Sequence, residues 1–320
     1  MARITLEMPL NRVEGDLDVQ LTIENGQVVE AKSIGTLYRG FENMLSGRDP
    51  LDALVITPRI CGICSITHLT AAVKALEDAQ SITPPAQAVR LRNLSIMAET
   101  VQSDLRQVFL MYLPDFAHAY YANRDFYEEA VRWYAPLKGE GSIEALRATK
   151  DILKVIAIIG GQWPHTSHMV PGGICTIPSV VDLALAQTHI FNVKAWYARA
   201  VLGVETLETF LEEVQSATAF DSWIEAHPDT HLARFVRLNR AVALDRLGAS
   251  YDGFISFGAI DNPQNPSQTL RSAGVLQRGE RQTLSVESIC EDVSHSWYEE
   301  AVGTCQPPAK GETSPQVNKA

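Results

Sequence analysis

A mainly helical protein that opens on a small antiparallel β-sheet is the fold class predicted for this chain of 320 residues. Three observations carry the prediction. Apolar and polar side chains alternate at period two over residues 4–8 and again over 17–23, an Asn-Gly pair follows the second run, and beyond Asp49-Pro50 apolar residues recur at helical spacing.

In order along the chain, Ile4, Leu6 and Met8 mark a first strand, and Leu17, Val19, Leu21 and Ile23 a second. Asn25-Gly26 suits the positive φ angles of a tight hairpin turn, so a return strand is expected from Val28 to about Ile34. A helix is predicted from Gln87 to Leu113, stopped by Pro114. A second covers Ile143–Ile159 and ends at Gly160-Gly161. A third, long and amphipathic, covers Ser179–Ser216. Tyr251 to Arg281 is rich in Gly, Asn, Pro and Ser and reads as loops with short strands; Ser285 to Glu291 reads as a short strand or helix. From Cys305 to Ala320 the chain is a polar tail without periodicity, expected to be disordered. No repeat or composition shift marks a boundary. The expected organisation is one domain over residues 1–304, β-rich to 48 and mostly helical from 49, followed by the tail 305–320.

The composition, 46% hydrophobic and 20% charged, is that of a soluble globular protein. A net charge of −11 without any basic run argues against nucleic acid as a partner. No apolar stretch approaches the roughly 20 residues of a bilayer span, and the start lacks the apolar block of a signal peptide. A cytoplasmic protein is the expectation. Five cysteines are too few and too scattered for a disulfide scaffold, but Cys61 and Cys64 form a Cys-X-X-Cys pair.

That pair lies in Arg59-Ile-Cys-Gly-Ile-Cys-Ser-Ile-Thr-His68. One helical turn would bring both sulfurs to one side, where they can hold a soft metal ion, and Gly62 would leave room for a close backbone approach. His68, one turn beyond Cys64, can donate a hydrogen bond to a coordinating sulfur. Taken alone, the motif fits half of a zinc site, a thioredoxin-like redox pair, or half of a larger metal centre.

The flanks narrow these readings. Asn11-Arg-Val-Glu-Gly15, Tyr38-Arg-Gly-Phe-Glu42 and Gly47-Arg-Asp-Pro50 precede the cysteine motif in order. Tyr112-Leu-Pro-Asp-Phe116, Pro164-His-Thr-Ser-His-Met-Val-Pro-Gly-Gly173 and His295-Ser-Trp-Tyr298 follow it. This succession resembles the amino-terminal part of nickel–iron hydrogenase large subunits. The resemblance implies that Cys61 is a terminal thiolate on nickel and that Cys64 bridges nickel and iron, the iron carrying carbon monoxide and cyanide. It implies further that His68 lies beside the bridging sulfur, that Glu14 passes protons, and that Glu42 is a carboxylate ligand of Mg2+. Arg59 and Asp104 would contact the cofactor. Soft sulfur donors suit redox-active nickel. The reaction implied is heterolytic cleavage of dihydrogen, with electrons leaving through iron–sulfur clusters in a separate small subunit. Maturation proteins that assemble the centre would be further partners.

Each residue also has a plainer reading. Glu14 could form a surface salt bridge, Glu42 could be a solvated glutamate, and Asp104 could pair with helical neighbours. His165 and His168 read as structural, and Cys175, Cys290 and Cys305 as ordinary thiols.

Two departures from the family stand out. The second motif that the resemblance implies, Asp-Pro-Cys-X-X-Cys-X-X-His, does not follow Cys64. The chain by itself is therefore expected to be inactive, with helices that expose apolar faces. Trp163 stands where a histidine is expected, and Arg106 and Gln107 stand where many relatives carry histidines. Both changes resemble the cytoplasmic uptake and hydrogen-sensing branch. The function expected is that of an uptake hydrogenase large subunit; a regulatory hydrogen sensor, a scaffold related to the quinone-site subunit of respiratory complex I, and a small zinc module are the alternatives.

Overall fold

The structure is a computed structural model that describes residues 3–10, 15, 17–35, 37, 39–247, 253–285, 291–292 and 305–306. It contains two compact units, Met1–Ser46 and Gly47–Ala320.

The first unit is the expected hairpin sheet. Strands β1 (Arg3–Pro9), β2 (Leu17–Glu24) and β3 (Gln27–Gly35) pair antiparallel in the order β1-β2-β3. Asn25 and Gly26 take φ of 53° and 80°, so both central turn residues are left-handed and the turn matches the twist of the strands it joins. A bulge between Thr22 and Ile23 shifts the β2–β3 register. Helix α1 (Phe41–Leu45) follows, with the Arg39 guanidinium 4.8 Å above the Phe41 ring.

The second unit is mostly helical. Its helices are α2 (Ala53–Ile56), α3 (Ser65–Gln80), α4 (Ala86–Arg106), α5 (Tyr127–Tyr134), α6 (Glu140–Gly160), α7 (Val180–Trp196), α8 (Leu207–Glu213), α9 (Ala217–Ala226) and α10 (His231–Ala241). The centre is α6, packed against α4 on one side and α7 on the other. Ile152, Val155, Ile156 and Ile159 of α6 are buried against Leu91, Ala98 and Leu105 of α4, with Ile66 and Leu69 of α3 in the same core.

Two predicted helices end differently. The segment from Gln87 does not stop at Pro114: α4 runs into a π-helical turn, Gln107–Tyr112, and then a 3-10 turn, Leu113–Ala117. Pro114 lies in the first turn of that 3-10 segment, where a missing N–H removes no helical hydrogen bond. The long helix expected over Ser179–Ser216 is two pieces, α7 with its continuation and α8, and α9 begins just beyond it. A capping box between Ser179 and Asp182 starts α7, which continues as a π-helical turn to Leu202. Gly203 then adopts φ 77°, and a Cβ there would lie 2.6 Å from Thr230 Cγ2. Thr206 and Ser216 cap α8 and α9. Nor is α7 amphipathic: Ala186 and Val193 are buried, yet Val180 and Val181 on other faces are 84% and 76% exposed.

Short strands fill the region after α10, as expected. Earlier in the chain, β4 (Met169–Val170) and β5 (Gly173–Ile174) form a hairpin before α7. Beyond α10, β6 (Gly253–Ser256), β7 (Ala259–Asn262), β8 (Asn265–Arg271), β9 (Gly274–Gln277) and β10 (Glu280–Gln282) make a β10-β9-β6 sheet and a β7-β8 hairpin. Lys74 Nζ reaches Asp261 at 2.6 Å, and Asn93 Nδ2 donates to the Asp261 carbonyl at 2.7 Å, tying that hairpin to α3 and α4. In the segment expected to be a polar tail, Cys305–Gln306 pairs with Glu291–Asp292 as strands β12 and β11. The element expected at Ser285–Glu291 lies mostly outside the described residues, as does His295–Tyr298. Among the described residues no helix is long and apolar enough to cross a membrane.

Candidate metal centre

The Cys-X-X-Cys segment is a tight turn, not a turn of helix. After α2, a 3-10 turn (Thr57–Arg59) leads into Cys61, and α3 begins only at Ser65. Cys64 takes φ −115° and ψ 34°, and its amide donates to Cys61 Sγ at 3.3 Å. The turn still brings both half-buried sulfurs together, as the spacing requires. Burial, then the neighbouring Cys61, then the charge of Glu99 push the Cys64 thiol up to about 12. The pair therefore keeps a proton unless a cation offsets the repulsion between two thiolates.

Helix α4 positions this turn with a buried polar stripe. The buried Arg92, Ser95, Glu99 and Gln102, and the half-buried Arg106, follow one another at steps of three and four, which places them on one side of the helix. Gln102 Nε2 donates to the Ile63 carbonyl at 2.9 Å, inside the cysteine turn. Glu99 accepts from the Ile66 and Thr67 amides, both at 2.8 Å, and from the Thr67 hydroxyl at 2.7 Å. It thereby caps α3, whose own N-cap residue, Cys64, makes no side-chain cap. The buried Glu99 carboxyl is held above its usual range by desolvation.

The same stripe anchors the segment 163–173. Ser95 Oγ lies 3.2 Å from His168 Nε2, and Arg92 donates to the Val170 and Gly173 carbonyls at 2.7 and 2.8 Å. Arg92 also pairs with Glu77 at 2.8 Å, both side chains under 10% exposed, and Glu77 accepts from the Gly172 amide. The segment begins with the cis Trp163–Pro164 bond and brings His165 to the cysteine turn. His165 Nδ1 donates to the Pro58 carbonyl at 2.8 Å, and the His165 amide donates to Ser65 Oγ at 3.3 Å. A Cβ on Gly62 would sit 3.6 Å from the His165 ring, an ordinary contact, so close backbone approach is not what this glycine provides.

His68 follows Cys64 by one turn, its amide bonded to the Cys64 carbonyl at 3.2 Å. Arg59 lies two residues before Cys61, with its guanidinium donating to the Val55 carbonyl. Asp104 is not brought to the turn. It is two positions from Gln102, about 200° around the helix, and faces a separate cavity of about 550 Å³ with Tyr197 and Lys194. Glu42 belongs to α1, while its side chain, like Glu14, lies outside the described residues.

A sequence model of the family described as nickel-dependent hydrogenase matches residues 39–124 and 113–320. The chain belongs to the nickel-dependent hydrogenase large subunits. The large subunit of the periplasmic NiFeSe hydrogenase of Desulfomicrobium baculatum is 26% identical over 325 residues, with 97% of this chain and 58% of the relative covered. The uptake hydrogenase large subunit of Rhodobacter capsulatus is 25% identical, with 91% and 56% covered. Among solved structures, the NiFeSe hydrogenase of D. vulgaris Hildenborough superposes with TM-score 0.75 at 25% identity, over 100% of this chain and 62% of that one. The H2-activated enzyme of Dm. baculatum gives 0.77 at 25% identity, over 99% and 62%. The hydrogenase large-subunit fold, mostly helical with small antiparallel sheets, is therefore the fold of this chain, which spans 56–62% of these relatives. Periplasmic and uptake types stand side by side among them.

The hydrogenase cysteines fit part of a metal centre. Cys61 and Cys64 offer two converging soft donors, and Glu99 has its oxygens engaged by α3. Among the described residues no group of three His, Cys, Asp or Glu side chains converges on a common point. Two donors on one turn match one edge of a larger thiolate-held site, and they do not close a four-ligand zinc site. Of the residues that hold this edge, His165 was read as structural, as it is here, whereas Glu99 and Gln102 were not singled out by sequence reasoning. Their signal was the polar stripe on α4.

Proposed function

We propose that this chain forms the cysteine-bearing amino-terminal part of a nickel–iron hydrogenase large subunit, acting in the heterolytic cleavage of dihydrogen. The observation that supports it best is the Cys61–Cys64 turn, held by α3, α4 and the His165 segment in a chain of this family. Cys61 and Cys64 would hold the metals as thiolates, with His68 set to tune sulfur basicity. A nickel–iron centre with carbon monoxide and cyanide on iron supplies, when bound, the Lewis acidity that polarises dihydrogen. Glu14 would accept a proton at its carboxylate and pass it outward. Glu42 would contribute to a Mg2+ site and Arg59 would contact the cofactor, both on the family resemblance alone, whereas Asp104 faces a separate cavity. Electrons would pass to iron–sulfur clusters of a small subunit. Arg106, Gln107 and Trp163 favour an uptake enzyme of the cytoplasmic branch, assembled by maturation proteins.

Metal analysis tests this reading. The chain is purified from maturation-competent cells, both alone and joined to the carboxyl-terminal segment of a relative. Nickel and iron in the joined form, lost in Cys61→Ser and Cys64→Ser, support it, whereas stoichiometric zinc in the chain alone overturns it. Fast hydrogen-dependent dye reduction by the joined form with its small subunit would separate an uptake enzyme from a slow sensor.

A further inference from the structure

We propose that a cavity between α4, α6 and Trp163 binds a small phosphorylated molecule with an apolar body. The cavity holds about 360 Å³, within the range of roughly 300–1,000 Å³ typical of small-molecule sites. Three cations, Arg106, Lys150 and Lys154, line it, and no acidic side chain does. In a chain of net charge −11 that local excess of positive charge needs a reason. Leu146, Leu153 and Trp163 supply apolar walls.

The cations are short of partners. The Arg106 guanidinium stacks 5.5 Å from the Trp163 ring, and no carboxylate pairs with it among the described residues. Its Nε is buried without an acceptor, and so is Trp163 Nε1 at the cavity wall. Leaving a buried donor unpaired costs about 1–3 kcal/mol, and a guanidinium presents a planar fork suited to a phosphate. Lys150, one turn before Lys154 on α6, has no ion pair among the described residues. Lys154 pairs at 2.8 Å with Asp151, which does not line the cavity. A phosphate between Arg106 and Lys150, with the organic part against Leu146, Leu153 and Trp163, would pair these two charges, while the enclosed Arg106 Nε and Trp163 Nε1 stay out of its reach.

The test uses phenyl phosphate as probe, with inorganic phosphate and phenol as its separate halves, titrated calorimetrically into the full chain at constant ionic strength. Saturable 1:1 binding of phenyl phosphate, tighter than either half, is expected. Arg106→Gln should weaken it about tenfold or more, the value of one charged hydrogen bond, and Lys150→Gln should weaken it less. Arg90→Gln, on α4 outside the cavity, should leave it unchanged. Without ligand, Arg106→Gln should melt no lower than wild type, because it removes an unpaired charge, and it should lose the probe-induced rise in melting temperature. No saturable binding to folded chain, or binding that survives Arg106→Gln, overturns the proposal. Equal effects of phosphate and chloride would show ionic screening only and would overturn it too, as would a destabilised Arg106→Gln, which would make the guanidinium structural.

Discussion

Glu99 on α4 receives both the amide and the hydroxyl of Thr67, at 2.8 and 2.7 Å, and so ties two helices together three residues beyond Cys64. One carboxylate thereby does for α3 what an N-cap side chain does elsewhere.

Replacing it leaves three donors without an acceptor. Glu99→Ala should lower unfolding free energy by about 3 kcal/mol, the cost of buried groups left unsatisfied. Glu99→Gln, which keeps one acceptor oxygen, should lose less. Urea denaturation followed by circular dichroism reads both, and equal losses would show that the carboxylate charge at the helix start, not the number of bonds, carries the effect.

Arg92 and Glu77 form an enclosed ion pair that also holds the β4–β5 hairpin. Arg92→Met should cost about 3–5 kcal/mol, because Glu77 is left charged and without its cation. The double variant Arg92→Met with Glu77→Leu should recover part of that loss. A double-mutant cycle that is additive would show the two residues to be independent.

His168 is buried, its ring nitrogens 3.1 Å from Thr166 Oγ1 and 3.2 Å from Ser95 Oγ. Burial first, then the nearby Arg92 charge, lowers its pKa from 6.5 to about 4. The unfolded chain therefore takes up this proton before the folded one does. Its contribution to stability is complete above pH 6.5 and is lost as pH falls towards 4, to a total of about 3 kcal/mol. His168→Gln should flatten that part of the profile relative to wild type. Parallel wild-type and variant denaturation midpoints across this window would refute the assignment.

Gly139, just before α6, has no space for a side chain: a Cβ would lie 2.4 Å from the Trp133 carbonyl oxygen. Backbone cannot yield as a flexible side chain can. Gly139→Ala should therefore destabilise by about 1–3 kcal/mol or more, while Gly173→Ala, with open space around it, should have little effect. Thermal denaturation of the pair makes the comparison.

Much of this was legible in the sequence because it rests on local rules. Asn25-Gly26 has few alternatives to a tight hairpin, and Gly161, at φ 79°, ends α6 where the Gly-Gly pair placed it. The cysteine pair was found from its spacing and its neighbours. The breaks after α7 were missed because an apolar run hides the stop at Gly203, which is set by packing against His227 and Thr230, and the N-caps Thr206 and Ser216 that restart the chain as α8 and α9. Glu99 and Gln102 were missed for a related reason. Their partners lie 32 to 39 residues away, and no periodicity records a contact across such a distance.

The stripe on α4 also bears on how this helix can change over time. Its outward positions can accept substitutions freely, since Thr100 and Ser103 face solvent. Its length cannot change. One residue inserted between Arg92 and Gln102 turns everything beyond it by about 100° and advances it by about 1.5 Å. The Gln102 amide would then point away from Ile63 while Arg92 still gripped Val170 and Gly173, and the cysteine turn would part from the hairpin it is now fixed beside. Insertions and deletions should be excluded from α4 far more strictly than point changes, and a library of single-codon insertions scored for soluble protein would show a gap over this helix.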